Sequence, residues 1–311
     1  MILTITLNPA VDVNYKMNSF SLDTVNRVDE VSKTAGGKGL NVARVLHQLN
    51  EEVATTGLLG GSLGDFIRRE ITTLGLQDYF IEISEDTRNC IAVIHNGKQT
   101  EILEAGPKIK EDEANIFLEK FADFIQKVTM ITISGSLPKG LPSNFYVKLL
   151  EIAEQYETPV LLDTNGTLLA KTLSEHKPLL IKPNEQELGD FLQKKLEREE
   201  DIIASLYSEQ LVDIPWVVVT LGENGAIVKH RKNIYKAIIP KVDAINPVGS
   251  GDSVIAGFAA GFSRNLLDDQ LIKFALTMGV LNALEDKTGH INPKKIESIM
   301  GQIEVEKIRS K

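Results

Sequence analysis

Three short segments combine residue types that could do chemistry. The run Asn246-Pro247-Val248-Gly249-Ser250-Gly251-Asp252-Ser253 leads into residues 254–264, which are rich in small side chains. Glycines before a helix let backbone N–H groups converge on an anion, and the helix N-terminus adds partial positive charge there. Asp252 stands at that mouth. By itself the pattern is equally a helix start, where an acidic residue stabilises by about 0.3–1 kcal/mol. The second cluster, Ala35-Gly36-Gly37-Lys38-Gly39-Leu40-Asn41, opens a helix. It satisfies neither the Walker A spacing nor G-x-G-x-x-G. Two readings stay open: a glycine-rich turn with Lys38 solvated, or backbone amides set against sugar hydroxyls with Lys38 and Asn41 as hydrogen-bonding side chains. The third, Asn184-Glu185-Gln186-Glu187, follows Lys182-Pro183 and begins a helix. It is either an N-cap with acidic first-turn residues or a magnesium site, since Mg²⁺ takes hard oxygen ligands and keeps several waters.

Other signals carry less. His47, His95, His176, His230 and His290 show no metal-ligand spacing, so surface or ordinary packing is expected. Cys90 lacks a C-x-x-C partner and reads as an inert thiol within a hairpin. The charged runs 108–113 and 194–201 read as solvated helix faces. No G-x-S-x-G elbow is present.

These segments need elements to hold them. Apolar runs rich in Val, Ile and Thr recur at 2–7, 53–59, 128–133, 159–162, 179–181 and 216–221. Between most of them lie amphipathic stretches. In 38–50, Val42, Val45, Leu46 and Leu49 fall at i, i+3, i+4 and i+7, one face of a helix; 63–74, 114–124, 145–153 and 188–196 are similar. The alternation predicts a doubly wound, mostly parallel α/β sheet with helices on both faces. Two segments interrupt it. Residues 11–34 are polar and strand-like, and 89–104 contain two extended runs around Asn96-Gly97, a strong hairpin signal. Together they predict a small sheet, either a lid beside a ligand cleft or an ordinary edge hairpin. Ligands in open α/β sheets sit at the carboxyl ends of the strands. There the chain carries Asn8-Pro9-Ala10-Val11-Asp12, Ser134-Gly135-Ser136, Asp163-Thr164-Asn165-Gly166, Lys182-Pro183-Asn184 and Thr220-Leu221-Gly222.

With 34 Lys+Arg against 43 Asp+Glu, the net charge of −9 argues against a nucleic-acid or anionic-membrane surface. The longest apolar run, 254–262, is too short to span a bilayer and contains two glycines. Residues 1–15 carry no basic residue and do not read as a secretory signal. A single cysteine rules out an intramolecular disulfide and suits a cytoplasmic compartment.

Taken together, the segments resemble the PfkB family of carbohydrate kinases. Gly36-Gly37-Lys38-Gly39-Leu40-Asn41-Val42-Ala43 is similar to its N-terminal signature and residues 246–253 to its C-terminal one, while Asn184-Glu185-Gln186-Glu187 matches its N-x-x-E motif. The resemblance covers essentially the whole chain. It implies one ribokinase-like domain over 1–311, with a lid sheet from about 11–35 and 88–105. The opening Ile2-Leu3-Thr4-Ile5-Thr6-Leu7-Asn8-Pro9-Ala10-Val11-Asp12 looks like the branch acting on ketohexose phosphates. Within it, Thr87-Arg88-Asn89-Cys90-Ile91-Ala92 and Thr288-Gly289-His290-Ile291-Asn292 favour tagatose 6-phosphate.

The resemblance further implies transfer of phosphate from ATP to the C1 hydroxyl of that sugar, in lactose or galactose breakdown. Asp252 would be the general base, ionised at neutral pH with no upward tuning from its ordinary pKa near 3.9. Backbone N–H groups of Gly249, Ser250 and Gly251 would hold the phosphoryl oxygens. Mg²⁺ would sit on Glu187 and Asn184 through waters. Asp12, Gly37, Lys38 and Asn41 would bind the sugar, and Arg88 and Ser136 its 6-phosphate; Arg27 would reach across a homodimer formed through the lid. Lys182, Asn184, Thr220, Gly222 and Gly225 would line the nucleotide site, with Asn282 near the adenine. Two alternatives remain: a 1-phosphofructokinase, or a kinase broad in its ketohexose phosphates, and a non-catalytic sugar-phosphate sensor. A sensor would be expected to have a damaged base or metal motif, and Asp252 and Glu187 are intact.

Overall fold

The predicted alternation builds a large, mostly parallel sheet in the computed structural model, which describes residues 1–164 and 166–310. Asn165, in the rim segment 163–166, lies outside the described residues, as does Lys311, the last residue of the expected domain. From Gln77–Asp78 the parallel strands run Val53–Leu59, Ile2–Thr6, Met130–Ser134, Val160–Asp163, Leu180–Ile181 and Trp216–Thr220. Ile2 lies opposite both Val53 and Met130, so the first strand is central. Strands covered on both faces read as continuous apolar runs, and Ile2–Thr6 and Val53–Leu59 are buried at every residue.

The two faces of one strand serve two cores. Trp216 and Val218 pack with the helices Lys38–Gln48 and Ser250–Ser263, while Val217 and Val219 pack with Glu111–Ile125 and Phe145–Gln155, which supply Phe117, Phe121, Phe145 and Tyr146. The period of two along a strand dictates that division.

Two features escape the sequence pattern. The helix Asp268–Ala283 is buried on nearly all sides and so has no amphipathic stripe to betray it. It lies against Ser250–Ser263, where a Cβ on Gly257 would stand 2.5 Å from Ala275 Cα. The sheet also continues through three antiparallel strands, Ala226–His230, Asn233–Ile238 and Glu304–Ser310. Their first turn is Arg231-Lys232, with Arg231 at φ 52°, and carries no glycine to announce it.

The charged runs are helix faces only in part. Residues 108–110 and 194–198 precede the helices Glu111–Ile125 and Glu199–Ser205, Glu111, Asp112 and Glu200 are exposed in the first turns, and Glu113 and Asp201 cap the helix starts by accepting from Lys110 N and Arg198 N. Glu113 is buried, its carboxylate accepting from Ser84 N at 2.7 Å and Lys110 N at 2.9 Å.

A separate four-stranded sheet has the order Glu30–Gly36, Ala10–Met17, Arg88–His95, Lys98–Leu103. It uses the segments expected for it, with Asn96 and Gly97 both at positive φ in the predicted turn. Cys90 is half-buried in it, and burial pushes its thiol pKa up, which suits an inert group.

Candidate active site

A cleft of about 1130 Å³ opens at the carboxyl ends of the parallel strands. Helix starts supply much of its chemistry. At Gly249 the chain takes φ +81° and enters the helix Ser250–Ser263, and a Cβ there would stand 2.4 Å from Thr288 Cγ2. First-turn N–H groups have no helical partner. Ser250 is an exception to the expected anion cradle, because its N–H donates to Pro247 O at 3.2 Å. Among the described residues, the amides of Gly249, Gly251 and Asp252 have no partner and remain to receive an anion.

Asp252 is buried in this first turn, 6% exposed. Asn41 Nδ2 donates to its Oδ2 at 2.7 Å. Burial, and secondarily the nearby Asp163 carboxylate, raise its pKa to about 6, against the pull of Lys38, Asn41 and Lys182. This corrects the expectation of an untuned carboxylate. Desolvation depends on what the fold packs around a group, and the motif does not carry that information.

Asp163, to which the sequence assigned no role, ends the strand Val160–Asp163 and is 2% exposed. Lys182 Nζ stands 3.4 Å from its Oδ1 and Lys38 Nζ 3.9 Å from its Oδ2. Neither oxygen accepts a hydrogen bond. The lysines therefore hold a counter-charge while keeping their N–H groups for a ligand, and Asp163 is the main reason the Lys38 pKa is raised. Gly251 makes room for the second lysine, since a Cβ there would lie 3.1 Å from Lys182 Nζ. The only sequence signal for Asp163 was its place at a strand end.

Just after Lys182 in the chain, Asn184 and Glu187 form a reciprocal capping box. Asn184 Oδ1 accepts from Glu187 N at 2.8 Å, and Glu187 Oε2 accepts from Asn184 N at 2.9 Å. The helix-cap role is thus present, and both residues also line the cleft. Among the described residues no three Asp, Glu, His or Cys side chains group closely enough to hold a metal alone. The oxygen donors of Asp163, Asn184 and Glu187 fit a hard cation held mostly by water and by phosphate oxygens.

Gly37, Lys38, Thr220, Gly222 and Gly225 also line the cleft, Gly222 at φ +58° with open space where a side chain would be. Asn282 does not. It is fully buried, donating to Val248 O at 2.9 Å and Ser250 Oγ at 3.3 Å and accepting from Gly289 N at 2.8 Å. These bonds brace the glycine turn, and the neighbouring Ala283 lines the cleft.

The residues expected around the sugar phosphate gather where the small sheet leaves the large one. Arg88 Nη1 donates to Glu104 O at 2.7 Å and Nη2 to Asn8 O at 3.1 Å. Asn8 Nδ2 donates to the exposed Ser136 Oγ at 3.4 Å. Asp12 is tucked against Gly36, where a Cβ would fall 2.2 Å from its carboxyl carbon. Burial raises its pKa to about 6 despite the neighbouring Arg44 and Arg88. Arg27 is not brought to the cleft: it lies exposed between the strands Ala10–Met17 and Glu30–Gly36, and among the described residues no hydrogen bond or ion pair holds it.

Comparison with known proteins gives this geometry a context. A model of the pfkB family of carbohydrate kinases matches residues 4–295. The tagatose-6-phosphate kinases of two Staphylococcus epidermidis strains are 45% identical over 307 residues, covering 98% of this chain and 99% of theirs. Among solved structures, phosphofructokinase-2 from Escherichia coli superposes with a TM-score of 0.89 at 23% identity, over 96% of this chain and 98% of that one. Arabidopsis thaliana ribokinase, solved with ribose and ATP, gives 0.78 at 18%, over 96% and 98%. These structures show the ribokinase-like α/β fold.

Proposed function

The chain belongs to the pfkB family of carbohydrate kinases and is a phosphotransferase with an alcohol acceptor, and from that premise we propose that it transfers the γ-phosphoryl group of ATP to the C1 hydroxyl of tagatose 6-phosphate. One observation carries the chemistry: a buried carboxylate, Asp252, at a glycine-flanked helix N-terminus with Lys38 and Lys182 in the same cleft. The relatives at 45% identity support the choice of sugar.

Asp252, with its pKa near 6, is ionised at neutral pH and is a better proton acceptor than an ordinary carboxylate. It takes the proton of the C1 hydroxyl as that oxygen bonds to phosphorus, a contribution of about 10²–10⁴ in rate. The free amides of Gly249 and Gly251 face the oxygens over which charge spreads, and Lys182 and Lys38 add positive charge from either side of Asp163. Magnesium bound with the nucleotide would neutralise the triphosphate, held by Asn184, Glu187 and Asp163. Arg88 and Ser136 are placed for the existing phosphate, and Asp12, Gly37 and Asn41 for the sugar hydroxyls. The small sheet acts as a lid of a single domain. It also offers a pairing surface for a second copy, with Val31, Ile102 and Leu103 exposed along its outer strands.

The test is ADP release with ATP and Mg²⁺, comparing kcat/KM for tagatose 6-phosphate, fructose 6-phosphate and fructose 1-phosphate. Each tenfold preference corresponds to about 1.4 kcal/mol of transition-state discrimination. A lead for tagatose 6-phosphate supports the proposal. A lead for fructose 1-phosphate moves the chain to the sister activity, and no turnover with any of them overturns the kinase reading.

A further inference from the structure

Arg44 lies one turn after Asn41 on the helix Lys38–Gln48 and is 7% exposed. No carboxylate among the described residues bonds to it. An arginine buried on those terms is costly, so what it holds matters. Nη1 donates to Asn41 Oδ1 at 2.7 Å and to Thr288 O at 3.3 Å, and Nη2 donates to Ala35 O. Asn41 Nδ2 in turn donates to Asp252 Oδ2 at 2.7 Å.

An amide has one accepting end and one donating end. With the guanidinium on the oxygen of Asn41, its NH₂ must face Asp252. The flipped amide would set donor against donor at Arg44 and oxygen against carboxylate at Asp252. Oδ2 of Asp252 is thereby anchored, and Oδ1 accepts no hydrogen bond among the described residues.

We propose that Arg44 is a positioning residue for the base: acting through Asn41, it fixes Oδ2 of Asp252 as the anchored oxygen and leaves Oδ1 to receive the substrate hydroxyl. This rests on the reading of Asp252 as the general base. The same guanidinium joins the helix to Ala35 at the root of the small sheet and to the Thr288-Gly289 turn, where a Cβ on Gly289 would stand 2.9 Å from Nη1.

The charged surroundings set the direction of the pH effect. Asp12, Glu70 and Asp252 favour the charged guanidinium, with His290 also close by; Asp252 faces Asp163, Lys38 and Lys182. The Asn41 hydrogen bond favours ionised Asp252, so losing it moves the acid limb of activity above pH 6.

The experiment makes Arg44→Lys, Arg44→Met and Asn41→Ala, and each Arg44 change combined with Asn41→Ala. Steady-state rates are followed across the acid limb with ATP, Mg²⁺ and tagatose 6-phosphate. Arg44→Lys keeps the charge but cannot hold all three acceptors; kcat is expected to fall about tenfold with KM for ATP little changed, and the acid limb to move up. In the Asn41→Ala background either Arg44 change should cost nothing further, the non-additivity of a relay. Losses that multiply independently of Asn41, or an unmoved limb, overturn the proposal. If Arg44→Met does not fold, Arg44→Lys decides; if neither folds, Asn41→Ala alone must move the limb upward or the relay fails at its second link. Absence of wild-type turnover overturns the kinase reading and this inference with it, whereas wild-type turnover with additive variants overturns only the inference.

Discussion

The two ends of the candidate site are built differently. Around Asp252, the groups Asn41, Lys38, Asp163 and Lys182 come from the large sheet and its helices, and Asp252 and Asp163 are almost wholly buried. Around Arg88, the partners are backbone carbonyls of Glu104 and Asn8 at the root of the small sheet, Ser136 is exposed, and among the described residues no hydrogen bond or ion pair holds Arg27. Chemistry depends on fixed geometry and low dielectric, so it sits where packing supplies both. On the proposed reading, recognition of the far end of the sugar would fall to a thinner, exposed element whose pocket a closing lid or a second copy would complete. The difference teaches that substitutions at the first end should act on kcat and at the second on KM.

Asp252→Asn probes that division hardest. Loss of the base should lower kcat by about 10²–10⁴ while sugar-phosphate binding survives, as isothermal titration would show. The same variant should melt higher. A carboxyl whose folded pKa of about 6 exceeds its unfolded value favours the fold at low pH, and that support is lost as pH rises through 6, so at neutral pH the buried charge is a net cost. A variant that melts lower would argue that Lys38 and Lys182 outweigh burial.

Asp163→Asn removes the charge between the two lysines, and kcat/KM should fall by about 10–10². Asp163 pushes the Asp252 pKa up, so the acid limb of this variant should move below the wild-type value near 6. In the wild type, kcat/KM should rise with pH through 6 and then level. An acid limb that stays in place in Asp163→Asn would show that the charge of Asp163 does not tune Asp252.

At the other end, Arg88→Ala should raise KM for the sugar phosphate about tenfold and leave kcat nearly unchanged. A large fall in kcat instead would mean that the small sheet shapes the reacting end as well, and would erase the contrast. The smallest effect belongs to the helix cap: Asn184→Ala removes one half of the capping box, at about 1 kcal/mol of stability, seen as a few degrees in Tm.

Much of this could be read from the chain. The glycine turns before Lys38 and Ser250, the cap at Asn184 and the Asn96-Gly97 hairpin are local features, set by φ preferences and by side chains reaching backbone groups three residues away. The strand–helix alternation was equally legible, because a half-covered element must show its period. The helix Asp268–Ala283 was not, since an element buried on all sides has no period to show.

The sequence by itself therefore determined the two glycine turns, the acidic cap and the layered α/β fold, along with the family resemblance those motifs carry. The tertiary structure decided that Asp163 stands between Lys38 and Lys182, that Asn282 braces a turn, that Ser250 N–H is already spent, and that burial raises the Asp252 pKa to about 6. The physical reason is distance along the chain. Asn41 and Asp252 are 211 positions apart, and the desolvation that tunes a carboxylate is a property of everything packed around it, which no local pattern encodes.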